Sequence, residues 1–492
     1  MKVLTLYHSL SDSEREDFRL WLFYELRENS SETLAQKQNP HKLIVYLELI
    51  LEKGGNVREH FHYLFPNQPY NDNKVREIRN LMLEKLSTFL AISQLKPEKY
   101  ALSVAYLKAL LDRNLHDLFL KEFKKVEKAL KKDVGTHVRI QGYLYEIYQL
   151  KKQLLVKRGA IPDNQSEQDI IDSFNQWIAE EKLQLILMKI NYERVSGELL
   201  TDDLADTFLG FVLSKENHSS LLLKLLYQTY LLIGEKLNDT GQQALISLLK
   251  QGYNHIHHIP MTNLYNLITN HYIRYLNQEE SHGKLNMLYQ LYLWGLETKL
   301  LFIDQKLPAS HYRNLQKTCI ILGLYDEAEK HIENFSKFLD PEKEQPEDVI
   351  HYSQADLLLA QGNALEAQKV LHNKKFRSPN IDVAAKALEI RARYLTTDVH
   401  NYKEFEFFQS KVDANIRSLK RKKDISEGRR HAYLVFYNLL RKLAEAESDV
   451  NLGVRVKKLE ALLIKANTQK PFYAHSWLIG EIQNKIAALQ HS

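Results

Sequence analysis

The chain has 492 residues, of which 44% are hydrophobic and 26% charged, a balance typical of a globular protein rather than of a disordered or fibrous one. Only 17 glycines and 11 prolines occur, which argues against turn-rich β architecture and favours long helices. The formal net charge of +5 is too small to indicate nucleic-acid binding by itself, and the single cysteine, Cys319, excludes an intramolecular disulfide.

The first 95 residues predict a separate helical module. Ser11 and Glu14 have the spacing of a capping box, which marks a helix start. Further along, apolar residues recur at three- and four-residue steps and predict an amphipathic helix that begins near Asn71. Its apolar stripe comprises Val75, Ile78, Met82, Leu86 and Phe89. The surrounding stretch, HYLFPNQPYNDNKVREIRNLMLEKLSTFL, resembles a segment of a group of uncharacterised bacterial proteins, and this resemblance implies no activity.

Residues 96–305 predict a degenerate array of helical hairpins. Helix-breaking residues such as glycine and proline divide this part into predicted helices of roughly 12 to 25 residues with short connections, which is typical of antiparallel helical hairpins. Within it, Ser166 and Asp169 have capping-box spacing and predict a helix start at Ser166. So many helices cannot surround one core, which favours a stacked array.

A repeat is visible between residues 306 and 492. The segments LGLYDEAEKHIENFSKFLDP and AQGNALEAQKVLHNKKF align with a shift of 39 residues, so that Gly323 pairs with Gly362 and Ala328 with Ala367. Each copy predicts a helix, a tight turn at the glycine and a second helix. Two helices approach closely only where one lacks bulk, so we expect both alanines to lie at helix crossings.

These residues resemble the tetratricopeptide repeat family. The match runs from Tyr312 and Leu315 through Cys319 to Gly323 and continues to residue 376, although Gln316 stands where the family has a small residue. The resemblance implies an all-α fold, an α-solenoid of antiparallel helical hairpins, whose first helices line a binding surface. We therefore predict three parts: an N-terminal helical module (1–95), a degenerate hairpin array (96–305) and repeats like those of this family with C-terminal helices (306–492).

The implied surface supplies the candidate site. On the first helix of the better repeat, Arg313, Asn314 and Lys317 lie off the packing positions, and Tyr352 and Asp356 lie on the corresponding helix of the next. Solenoid surfaces of this kind bind extended peptides or partner helices. We predict a non-catalytic scaffold or adaptor that binds a protein partner at these five residues.

An alternative is an RNA- or DNA-binding helical array. Residues 121–158 contain eleven basic and four acidic residues, and residues 411–442 contain ten and three. Concentrated positive faces attract phosphates. The candidate basic residues are Lys121, Lys124, Lys125, Lys128 and Lys132 in the first segment and Lys420, Arg421, Lys422 and Lys423 in the second. Tyr143, Tyr145 and Tyr148 lie close enough in sequence to stack on bases.

No motif specifies a reaction. Phosphate-binding glycine loops are missing, and Cys319 lies in an apolar stretch typical of a core thiol. His255, His257 and His258 have no paired carboxylate nearby in sequence, so we expect neither a metal nor another cofactor. Without a reaction motif, we predict that the protein is not an enzyme. The N-terminus lacks a signal-peptide pattern and no long apolar run occurs, which predicts a cytoplasmic protein that is not a membrane protein.

Overall fold

The computed structural model describes residues 2–28, 39–52, 57–95, 99–205, 208–210, 220–279, 281–340, 345–372 and 374–490. Across these ranges all extended regular structure is helical, and β pairing is limited to isolated bridges. The predicted all-α fold is therefore confirmed. None of the helices within these ranges is both long enough and apolar enough to cross a bilayer.

The chain divides into two compact units, Met1–Val134 with Val138–Ala179, and Gly135–His137 with Glu180–Ser492. The predicted three-part division stays a prediction. In the first unit the described helices are α1 (Lys2–Ser9), α2 (Asp12–Glu28), α3 (Asn39–Glu52), α4 (Val57–Leu64), α5 (Asp72–Leu95), α6 (Lys99–Asp112), α7 (His116–Lys132) and α8 (Arg139–Lys157). Helix α9 (Asn164–Ser196) contains the unit boundary.

Two hydrophobic cores organise the first unit. One includes residues of α1, α2, α3, α4 and α5 and contains three of the predicted stripe residues of α5, Met82, Leu86 and Phe89, while Val75 is buried as well at 1% exposure. The other joins α6, α7 and α8 and includes Phe119, Phe123 and Leu130 on one face of α7. Burial of that face leaves the lysines of α7 on the opposite side.

The second unit continues with helical hairpins. Its described helices after α9 are α10 (Leu221–Ile233), α11 (Asp239–Gly252), α12 (His258–Gln278), α13 (His282–Glu297), α14 (Ala309–Ile321), α15 (Tyr325–Phe335), α16 (Pro346–Ala360), α17 (Ala364–Leu371), α18 (Pro379–Thr396), α19 (Tyr402–Arg421), α20 (Glu427–Glu447), α21 (Leu452–Thr468) and α22 (His475–Gln490).

From α14 onward the packing repeats. Helices α14, α16, α18 and α20 each pack against the helix that follows them, as the first member of a hairpin. Each also contacts the first helix of the next hairpin, and α20 contacts α22 in the same way. This stacking of hairpins is the predicted α-solenoid architecture. It sets the first helices side by side.

The predicted glycine turns are confirmed. Gly323 and Gly362 have φ of +73° and +85°, the left-handed region that glycine enters without strain. At each turn the residue after the glycine donates its N–H five residues back, from Leu324 to Cys319 at 2.9 Å and from Asn363 to Leu358 at 2.8 Å. This is the Schellman arrangement, which satisfies carbonyls at the helix end. Each glycine therefore ends one helix and allows the next to fold back.

The alanines of the repeat lie where the sequence predicts them. Ala328 and Ala367 are completely buried, and Ile332 and Leu371, one turn further on, are 8% and 3% exposed. Ala367 belongs to a core shared by α16, α17 and α18 that contains two further completely buried alanines, Ala355 and Ala392. Small residues on facing helices allow the close approach that the prediction required.

Two helix starts test the capping predictions. Ser11 and Glu14 form the expected reciprocal pair, since the Ser11 N–H donates to Glu14 Oε2 at 2.8 Å and the Glu14 N–H to Ser11 Oγ at 3.3 Å. The prediction at Ser166 is wrong. Helix α9 begins at Asn164, and the Ser166 N–H donates to Asp163 Oδ1 at 2.7 Å. Asp163 satisfies the first-turn donor, so Ser166 lies inside the helix.

Candidate functional site

Four of the five predicted partner-binding residues come together on adjacent helices. Arg313 and Lys317 of α14 are followed by Tyr352 and Asp356 of α16, and α14 packs on α16. Lys317 acts electrostatically on the Asp356 carboxyl, and Arg313 on the Tyr352 hydroxyl. The repeat shift that pairs Gly323 with Gly362 also pairs Arg313 with Tyr352 and Lys317 with Asp356.

The fifth residue, Asn314, faces a different neighbour. It lies near the hydroxyl of Tyr292 on α13, and it opposes the effect of burial, which raises the pKa of that tyrosine. Its backbone carbonyl accepts from Thr318 Oγ1 at 2.7 Å. Asn314 therefore has a packing role that the sequence did not indicate.

Four further side chains that the sequence reasoning missed complete the cluster. The Tyr433 and Tyr473 rings stack with centroids 4.8 Å apart, and the Arg391 guanidinium carbon lies 4.4 Å from the centre of the Trp477 ring. Arg391 also acts on Asp356. We call the following set the first-helix cluster: Arg313, Lys317, Tyr352, Asp356, Arg391, Tyr433, Tyr473 and Trp477.

Three groups of the first-helix cluster are only partly exposed to solvent. Tyr352, Asp356 and Tyr473 retain partial solvent exposure. Yet burial is the largest influence on all three groups: it raises the pKa of the Asp356 carboxyl, and it raises the pKa values of both tyrosines above their ordinary range. These three side chains are therefore largely surrounded by protein and still meet water.

Positive charge dominates the first-helix cluster. Burial raises the pKa of the Asp356 carboxyl, and the positive charges of Arg391 and Lys317 lower it. Asp356 is the one carboxylate of the first-helix cluster, so both cations share it. The Nε groups of Arg313 and Arg391 are buried, and among the described residues neither has a hydrogen-bond partner. A buried guanidinium N–H without an acceptor carries a desolvation cost, which an incoming anionic group would relieve.

The two basic segments differ in structure. On α7, Lys121, Lys124, Lys125, Lys128 and Lys132 are all exposed, and Lys125 pairs with Glu122 on the same helix at 2.7 Å. At the end of α19, Lys420, Arg421 and Lys423 are exposed as well. Lys422 instead turns inward and pairs with the carboxylate of Asp382 at 2.7 Å, so it is not part of an exposed basic face.

The tyrosines near the α7 lysines are core residues. Tyr148 is 6% exposed and donates to Glu127 Oε1 at 3.1 Å. Tyr143 and Tyr145 pack against the core of α6, α7 and α8, and Tyr145 lies 5.1 Å from the Phe174 ring. All three rings therefore take part in packing between helices.

The groups weighed for chemistry have structural surroundings. Cys319 is completely buried, and burial together with Glu327 raises the pKa of its thiol to about 12. His257 caps the start of α12 and contacts the His137 ring at 5.5 Å. No group of three or more metal-binding side chains is found within the described ranges. Asp202, in an acidic stretch that follows α9, forms an ion pair with Lys182 at 2.6 Å.

Comparison with known proteins gives little beyond this geometry. No protein-family model matches the sequence, and no curated protein matches it. Among solved structures, the chain is similar to one titled "Crystal structure of Scc4 in complex with Scc2n", with 11% sequence identity and a TM-score of 0.22. That alignment covers 100% of this chain and 99% of the other.

Proposed function

We propose that this chain is a cytoplasmic, non-catalytic adaptor of the tetratricopeptide-like type that binds an acidic segment of a partner protein at the first-helix cluster. One observation carries the proposal: Arg313 and Arg391 present buried guanidinium donors without acceptors beside a surface of stacked aromatic rings. Arginine and aromatic side chains are the residues that dominate protein interfaces. The predicted peptide-binding role of Arg313, Lys317, Tyr352 and Asp356 is retained in this proposal.

Charge and shape together favour an acidic peptide. The cluster combines Arg313, Lys317 and Arg391 with one carboxylate, Asp356, so a carboxylate-bearing partner gains charge-assisted hydrogen bonds. The Tyr433 and Tyr473 rings and the Trp477 ring supply apolar area for the side chains between the acids. An extended segment fits a surface that several successive helices build.

The test is a selection followed by a binding measurement. Random peptides are displayed on phage, selected on the immobilised chain, and measured by fluorescence anisotropy against the wild type and Arg313→Ala/Lys317→Ala. We expect selected sequences rich in Asp and Glu, and an affinity loss of about tenfold or more in the variant, from two charge-assisted contacts of roughly 1 kcal/mol or more each. Selected peptides that bind both proteins equally would overturn the assignment.

A matched control separates this proposal from the nucleic-acid alternative. Lys124→Ala/Lys128→Ala removes the same number of positive charges from the exposed face of α7. Pull-downs from lysate with and without nuclease are compared for the wild type and both variants. Partners that survive nuclease and are lost only with Arg313→Ala/Lys317→Ala support the adaptor. Material lost on nuclease treatment and with the α7 variant would instead support nucleic-acid binding.

A further inference from the structure

A cationic recess lies away from the first-helix cluster, where the end of α9 meets α10 and α12. The cavity volume is about 10 Å³, and its polar lining is Asn191, Arg194, Asn270, His271 and Arg274. Its remaining walls are apolar, formed by Ile190, Ile233 and Leu267. An interior of this size holds about one water molecule, so a larger anion would lie at the mouth of the recess, beside the exposed Arg194.

The side chains of this recess lack a counter-charge. No carboxylate lines the cavity among the described residues. Glu193, next to Arg194 in sequence, is held by Lys189 at 2.7 Å and by the Leu200 N–H at 2.8 Å. Glu279, near Arg274, accepts from the Tyr275 hydroxyl at 2.6 Å. The nearest acids along α9 and α12 are therefore engaged elsewhere.

His271 supplies an independent observation. Its side chain is only 6% exposed, it lines the cavity, and no hydrogen bond joins it to another described residue. Burial, together with the positive charges of Arg194, Lys284 and Arg274, lowers its pKa to about 4. Burial and Arg194 also lower the pKa of Arg274. The charged groups that act on His271 from α9, α12 and α13 are thus all positive.

We propose that this recess binds a phosphate group, with Arg194, Arg274 and His271 as its principal donors and the amides of Asn191 and Asn270 beside them. Two guanidinium groups match the oxygen geometry of phosphate, and donors on two helices suit its tetrahedral oxygens. Arg194 is already positioned, because its Nη2 donates to the Ile233 carbonyl at 2.8 Å. The phosphate group comes either as the free ion or on a small phosphomonoester.

Calorimetric titration tests the proposal. Inorganic phosphate, pyrophosphate and AMP are titrated at matched ionic strength, with chloride as the reference anion. We expect saturable binding at one site, with proton uptake by His271 that shows as a dependence on the buffer's ionisation heat. Tighter binding of inorganic phosphate than of AMP identifies the free ion, and the reverse identifies a phosphomonoester. Absence of saturable binding by all three would overturn the proposal.

The variants distinguish a ligand site from a structural cluster. Because Arg274 is repelled by Arg194 and has no acid partner, Arg274→Gln should keep or raise the stability of the ligand-free chain and weaken phosphate binding about tenfold or more. Asn270→Asp should place a carboxylate beside the arginines and block binding through internal competition. Arg417→Gln, at an exposed arginine of α19, is the charge-matched control. Undiminished phosphate binding in Arg274→Gln or Asn270→Asp would contradict the assignment.

Discussion

Gly295 of α13 makes room for a tyrosine hydroxyl from the neighbouring helix. Tyr265 of α12 is completely buried, and its hydroxyl donates to the Leu291 carbonyl at 3.0 Å. A Cβ placed on Gly295 would lie 2.3 Å from the Tyr265 hydroxyl oxygen and 2.6 Å from the ring carbon that bears it. Real Cβ atoms do not approach backbone-anchored rings so closely, so Gly295→Ala must displace Tyr265.

The expected cost follows from three contributions. Overpacking a buried site costs about 1–3 kcal/mol, and a buried hydroxyl that loses its acceptor costs about 1–3 kcal/mol. Replacing glycine by alanine inside a helix returns about 1 kcal/mol. We therefore expect Gly295→Ala to lower the free energy of unfolding by about 1–5 kcal/mol, against the usual direction of a helical glycine-to-alanine change.

Gly283, in the first turn of the same helix, is the matched control. No atom lies within 4 Å of a Cβ placed there, so Gly283→Ala should leave stability unchanged or raise it by up to about 1 kcal/mol. Guanidinium unfolding followed by tryptophan fluorescence gives the midpoints, and Trp294 reports locally because its ring lies 5.9 Å from that of Tyr265.

A double variant tests the cause. Tyr265→Phe removes the oxygen that lies closest to the added methyl group and should by itself cost about 1 kcal/mol. In Tyr265→Phe/Gly295→Ala the total cost should be smaller than the sum of the single changes, by about 0.5 kcal/mol or more. Gly295→Ala with wild-type stability, or strict additivity of the pair, would refute the reasoning.

Three further predictions concern buried groups. Ala367→Leu, at a completely buried helix crossing, should lower the free energy of unfolding by about 1–3 kcal/mol. Leu365→Ala, at a residue that is 64% exposed, should change it by less than about 0.5 kcal/mol. The midpoints of guanidinium unfolding check both. The Cys319 thiol, buried and with a pKa of about 12, should resist iodoacetamide at pH 8 until the chain unfolds, and rapid labelling of the native protein by mass spectrometry would contradict this. His271 stays neutral in the folded chain down to pH about 4, whereas in the unfolded chain it takes up a proton near pH 6.5. The free energy of unfolding in phosphate-free buffer should therefore fall as the pH decreases between these values, by about 3 kcal/mol at most. His271→Gln should flatten that part of the pH profile, and an unchanged slope would contradict the pKa.

The parts of the fold that the sequence predicts depend on local interactions. Gly323 and Gly362 end their helices through the conformation of one residue, so a short segment contains the whole signal. The buried stripe of α5 is likewise periodic along a single helix, from Val75 to Phe89. At Ser166 the same kind of reasoning failed because two acceptors, Asp163 and Ser166, competed for the helix start, and spacing alone did not rank them.

The candidate site was predictable only as far as the repeat register reached. Lys317 and Asp356 occupy equivalent positions 39 residues apart, so a pattern in sequence brought their helices together. A second shift of 39 residues places Arg391 at the position of Arg313 and Tyr352, but no glycine marks the turn after α18, so no motif supports that alignment. Tyr473 precedes α22, and its stacking on Tyr433 depends on tertiary packing between segments that share no motif.

The number of charges in a segment does not identify a binding surface, because it ignores which charges are already paired within the protein. Lys422 contributes to a strongly basic stretch, yet its ammonium group is neutralised by the inward-facing Asp382. Arg391 lies outside both basic segments, its guanidinium lies over the Trp477 ring, and its Nε donor has no acceptor among the described residues. A buried cation that already pairs with a carboxylate gains little when a ligand binds. A buried donor that has no acceptor gains a charge-assisted hydrogen bond. The unpaired arginines, rather than the longest basic runs, are therefore the positions at which substitution should alter partner binding most.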